Sequence, residues 1–103
     1  MVTITGTVGT TGKYLVTGMP VNSQAHVPLK ITFENNTGGT NLALWAGTDA
    51  DFAAGNKGTR LSDSGGPGFR FLTIVDAVTL NSKLLYVQRE VGSANSQFTI
   101  NIE

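Results

Sequence analysis

Apolar and polar residues alternate at every second position through most of the segments of this chain that carry a pattern. Residues 2–8 set the rule. Val2, Ile4 and Val8 fall on one side and Thr3, Thr5 and Thr7 on the other, the two-residue period of a half-buried strand. Gly9-Thr10-Thr11-Gly12 then turns the chain into a second strand at about 13–19. In 27–34, Val27, Leu29, Ile31 and Phe33 face a core, whereas Lys30, Thr32 and Glu34 face water. Pro28 cannot donate to a ladder, which limits its surroundings to an edge or the start of a strand. Asn35-Asn36-Thr37-Gly38-Gly39 predicts a turn of hairpin geometry into a strand at 42–45. Residues 69–80 and 83–91 are apolar on both faces in places (Phe71, Leu72, Ile74, Val75; Leu84, Leu85, Tyr86, Val87), as central sandwich strands are. A turn at Asn81-Ser82 separates them. Gly92-Ser93-Ala94-Asn95-Ser96 predicts a five-residue hairpin loop into 97–102, where Phe98, Ile100 and Ile102 alternate with Gln97, Thr99 and Asn101.

No long window keeps a 3.6-residue period. One short exception is Thr48-Asp49-Ala50-Asp51, a Thr-x-x-acid capping box followed by Phe52-Ala53-Ala54 and a Gly55 stop, which predicts one helical turn near 49–54. The pattern as a whole predicts a single all-β domain over residues 1–103: an antiparallel, jelly-roll-like β-sandwich of about seven strands. The longest stretch without strand signal, 47–68, carries Gly47, Gly55, Gly58, Gly65, Gly66, Pro67 and Gly68. Loops of that length either cross between sheets or carry function.

Composition narrows the partners. The chain holds 7 Lys and Arg against 7 Asp and Glu, scattered along it, and 14% of its residues are charged. Nucleic acid and anionic membranes call for a clustered positive field, so neither is expected as a partner. Low charge near neutrality also removes the self-repulsion that keeps proteins apart, which favours self-association. The absence of Cys excludes disulfides, thiolate chemistry and Cys-ligated metals. Residues 1–5 read at once as a strand, with no leader visible, and no apolar run approaches a bilayer span, so the chain reads as soluble.

The candidate binding residues gather around the 47–68 stretch: Trp45, Asp49, Asp51, Phe52, Arg60 and Asp63. With Leu42 and Leu44 pointing inward, Trp45 points to the opposite face, where an indole can stack on a sugar or anchor a protein contact. Asp49, Asp51 and Asp63 offer hard oxygen ligands of the kind calcium takes, but capping accounts for the first two, and the spacing and closing Glu of an EF-hand are missing. No metal or cofactor is expected. His26 is the only histidine, which leaves no multi-histidine site. Asn35-Asn36-Thr37 forms an N-glycosylation triplet. Asp63-Ser64-Gly65-Gly66-Pro67 resembles the nucleophile motif of trypsin-like serine proteases, with His26 and Asp49 or Asp51 preceding it in that family's order. Ser62 stands where the family has an oxyanion-donating Gly, and the chain is about half the length of the two barrels that position a triad. No catalytic residue is therefore assigned.

Over about 70 residues the pattern resembles the bacterial pre-peptidase C-terminal domain, a small β-sandwich, through Leu42-Ala43-Leu44-Trp45 in the middle strand, then Tyr86-Val87 and Phe98-Thr99-Ile100 near the end. Asn41 stands nearest the position where that family carries acidic residues, and what the resemblance implies is the sandwich fold. In composition, a short, cysteine-free, Thr-, Gly- and Asn-rich β-chain is similar to phage virion components such as capsid decoration proteins. The expected function is a non-enzymatic structural or assembly protein on a virion or extracellular surface, whose partner is protein: its own copies or a larger assembly such as a capsid. The alternative is a carbohydrate-binding or adhesion module with a glycan as partner.

Overall fold

A computed structural model describes residues 2–16, 28–37, 41–54, 58–63, 65–66, 68–76, 80, 83–92 and 95–103. In chain order its elements are β1 (Val2–Val8), β2 (Lys13–Val16), β3 (Pro28–Thr37), β4 (Asn41–Gly47), α1 (Asp49–Ala54), β5 (Thr59–Arg60), β6 (Arg70–Asp76), β7 (Leu84–Val91) and β8 (Ser96–Ile102). They form two four-stranded sheets, β1-β8-β3-β6 (sheet I) and β2-β7-β4-β5 (sheet II). Every paired strand is antiparallel to its neighbour. Consecutive strands lie in opposite sheets at every step except β4 to β5. That interleaving is the double Greek key of a jelly roll.

The alternation at 2–8 and 28–34 is realised as written, and Ile31, Phe33, Leu42, Leu44, Leu85, Val87, Phe98, Ile100 and Ile102 close the core at 2% exposure or less. Pro28 opens β3, where its missing donor costs least. On β1 the inward position between Ile4 and Val8 is Gly6, and a Cβ there would stand 2.6 Å from the Tyr14 ring. The absent side chain is what lets Tyr14 enter the sandwich and meet Phe98 edge-on at 5.1 Å. Arg89 ties down the 9–12 turn, its Nη2 donating to the carbonyls of Val8 (3.3 Å) and Gly9 (2.8 Å).

Four expectations are corrected. Asn35, Asn36 and Thr37 are not a turn but the end of β3, with a bulge against β8. Asn35 is fully buried, and its Nδ2 donates to the Gly65 carbonyl at 2.9 Å, so the residue that signals a turn here satisfies the backbone of a crossing segment instead. The 92–95 connection does not close a hairpin either, because β7 and β8 lie in different sheets. Of the two apolar strands near the end, only β7 is central; β6 is an edge strand. A short strand, β5, lies within the 47–68 stretch, which carries no strand signal in the sequence. The second strand ends at Val16 among the described residues, whereas 17–27, with Val27 and His26, and also Gly38, Gly39, Gly55, Ser64, Pro67, Asn81, Ser82, Ser93 and Ala94 lie outside them.

Ordered backbone bonds run through the described part of that stretch. Leu61 N donates to the Leu44 carbonyl at 2.7 Å, and Gly65 and Leu42 exchange N–H···O bonds of 3.2 and 3.1 Å. The buried Ser62 hydroxyl accepts from Leu44 N at 2.9 Å, filling a ladder position with a side chain. Asn35 N then donates to the Phe69 carbonyl at 2.9 Å. The segment thus rides along β4 and is handed across to β3.

Candidate functional site

The two sheets turn different surfaces outward. On sheet II the register aligns Leu15, Tyr86, Trp45 and Arg60 in one outward row. Within it Tyr86 is fully covered and Trp45 half-covered, while Leu15 and Arg60 are exposed. The Thr48 hydroxyl accepts from Asp51 N (3.2 Å) and the Asp51 carboxylate accepts from Thr48 N (3.0 Å), the reciprocal capping box that starts α1. The helix lies on this face because β4 ends in Gly47, where a Cβ would come within 2.8 Å of the Asp51 Cβ. Phe52 meets Tyr86 edge-on at 5.2 Å. Lys13 Nζ closes the other end of α1, donating to the carbonyls of Phe52 (2.7 Å) and Ala53 (2.9 Å) and lying 5.1 Å from the Phe52 ring centre. Burial and, secondarily, the negative charge of Asp51 raise the Tyr86 phenol above its ordinary value.

Five of the six residues nominated from sequence belong to this cover. Trp45 lies half-buried between Tyr86 and Arg60, its Nε1 buried without a hydrogen-bond partner. Arg60 reaches Glu90 at 2.8 Å. Asp51 caps α1, Phe52 roofs Tyr86, and Asp49 stands exposed in the first turn. Asp63 is separate and exposed, its backbone carbonyl accepting from the Ser62 hydroxyl at 2.9 Å. Among the described residues no three His, Cys, Asp or Glu side chains converge as a metal site would need.

The outer face of sheet I carries no helix among the described residues. Its rows read Thr3, Asn101, Thr32, Leu72 and Thr5, Thr99, Glu34, Arg70. Short polar side chains lie down on it: Thr3 Oγ1 donates to Asn101 Oδ1 at 2.8 Å, and Thr99 Oγ1 to Asn36 Oδ1 at 2.7 Å. Its ion pairs, Arg70–Glu34 and Lys30–Glu103, are long at 3.9 Å and exposed. Pairs of that kind contribute little to stability. A shallow depression of about 470 Å³ opens between Lys30, Thr32, Arg70, Leu72, Asn101 and Glu103. At the rim, Leu72 is 52% and Ile74 66% exposed on the outward side of β6.

Sequence reasoning did not nominate Leu72 and Ile74, because apolar residues on both faces of a segment point to a central strand. What distinguishes an edge is the number of neighbours, which one strand's pattern does not contain. No family model, no curated protein and no solved structure matches the chain. No helix among the described residues is long and apolar enough to cross a membrane.

Proposed function

We propose that this chain is a non-enzymatic structural or assembly subunit, of the kind that decorates a virion or a similar extracellular surface, and that it meets its protein neighbours through the outer face of sheet I. One observation carries the proposal: Leu72 and Ile74, more than half exposed, project from an edge strand beside a flat field of short polar side chains. Exposed apolar groups grouped on one rim mark interaction sites. A row of Thr and Asn already hydrogen-bonded to one another loses little on desolvation, which suits a contact surface. The composition agrees, since 14% charge gives weak repulsion between copies. Around Trp45, by contrast, Arg60, Phe52 and Asp51 already serve to hold β5 and α1 in place.

Sizing across a concentration series, with negative-stain microscopy of the concentrated sample and a glycan array beside it, tests the function. Assembly that Leu72→Ser and Ile74→Ser weaken, with the array silent, is the expected result. A strictly monomeric protein that binds a glycan, with binding abolished by Trp45→Ala, would replace this function with a carbohydrate-binding one.

A further inference from the structure

We propose that two copies of this chain pack face to face through the outer surface of sheet I, about a two-fold axis that runs across the strands along the Thr32 row. The proposal rests on the assembly function above and names the partner on that face as a second copy.

The register lays out the charges. On β3, Lys30 and Glu34 stand one row to either side of Thr32, and the Thr32 row itself, with Thr3, Asn101 and Leu72, is uncharged. The Glu103 carboxylate lies 3.9 Å from Lys30, and the Arg70 guanidinium lies 3.9 Å from Glu34. All four side chains keep 41% or more of their surface exposed. One flank of the row thus reads acid then base from β8 to β3, and the other reads acid then base from β3 to β6.

A half-turn about that row lays each strand over its own copy and exchanges the two flanks. Lys30 then faces Glu34 of the second copy, and Glu34 faces the Lys30 of the second copy. Each pair within a chain becomes half of an alternating row of four: Glu103, Lys30, then Glu34 and Arg70 of the second copy, once on each side of the axis. Charges joined in a network contribute where an isolated exposed pair does not. Leu72 meets its own copy on the axis, and the aliphatic stem of Arg70 lies over Ile74 of the second copy. The short Thr and Asn side chains of the axis row let the sheets reach the spacing of about 10 Å at which sheets pack.

Other axes do worse. Along the strand through β3, a half-turn sets Lys30 on Lys30 and Glu34 on Glu34, and like charges face to face repel. Along the strands between β8 and β3, it sets Lys30 on Glu103 but leaves Glu34 opposite Thr99 and Arg70 opposite Thr5. The Thr32 row joins all four charges and puts Leu72 on Leu72.

A matched pair of charge variants tests the register. Lys30→Glu leaves acid on both sides of Thr32, and Glu34→Lys leaves base on both sides, so each variant alone meets its own copy with like charges. Mixed, the two complement each other at every contact. Sedimentation should show the natural chain moving from 10.8 kDa toward twice that mass with concentration. Each variant alone should associate about tenfold more weakly or worse, and the equimolar mixture should recover the natural affinity. Lys30→Glu with Glu103→Lys restores the pair within the chain but not the one across the axis, and should stay as weak as Lys30→Glu. Added salt should weaken the natural dimer. A natural chain monomeric at every concentration, single variants that associate as tightly as the natural chain, a mixture no tighter than its parts, or recovery by Glu103→Lys would each overturn the pairing. The assembly function falls on a different result, glycan binding by a monomer that Trp45→Ala abolishes.

Discussion

Sheet I and sheet II have four strands each and share one core, yet their outer faces differ in kind. On sheet II the chain returns to cover itself: α1, capped at one end by Thr48 and Asp51 and at the other by Lys13, sets Phe52 over Tyr86, which has no solvent contact on what would be an outer surface. On sheet I, among the described residues, nothing comparable is laid over Thr32, Leu72 or Ile74. The difference teaches that aromatic and charged residues gathered near a long loop can be the inner side of a cover.

That contrast can be broken by truncation. Tyr86→Ala, beneath the cover, is expected to cost about 3–5 kcal/mol in chemical denaturation, the range for truncating a buried aromatic residue. Leu72→Ala, on the bare face, should stay within about 0.5 kcal/mol in the monomer, as surface substitutions do. Equal losses at the two positions would remove the distinction. Next in size, Thr48→Ala deletes one half of the capping box and should cost about 1 kcal/mol. It should also raise amide exchange across residues 49–54 and nowhere on sheet I.

The smallest effect is alkaline. The Tyr86 phenol is raised by burial and by Asp51, so the native state keeps its proton above the ordinary value of 10.0, where the unfolded chain releases it. This contribution is whole below about pH 10 and is lost as pH climbs through the raised native value. Thermal melts of Tyr86→Phe should therefore fall less steeply than those of the natural chain above that pH. An identical slope would mean that the phenol titrates freely.

Much of this was legible in the residues. Val2, Ile4 and Val8 opposite Thr3, Thr5 and Thr7 mark β1 to the residue, because a period of two has only one reading when one face is buried. Thr48 and Asp51 mark α1 because a cap is a local interaction. The misread places are those where a local signal serves a distant partner. Asn35 and Asn36 carry turn chemistry, but the Asn35 amide bonds Gly65, thirty positions away. Ser62 carries no strand pattern, yet its hydroxyl occupies a rung beside Leu44. The alternation puts Trp45 on the face opposite Leu42 and Leu44, but the helix that comes to lie beside it through Phe52 and Tyr86 depends on packing between elements. Nothing in residues 69–80 distinguishes two neighbouring strands from one.

Residue-resolved amide exchange along β6, at low and at high protein concentration, tests most directly whether the outer face of sheet I is the contact surface. At high concentration exchange at Leu72 and Ile74 should slow relative to the dilute protein, with sheet II unchanged. Protection that rises instead around Lys13, Trp45 and Arg60, with Leu72 and Ile74 as fast as before, would contradict the account.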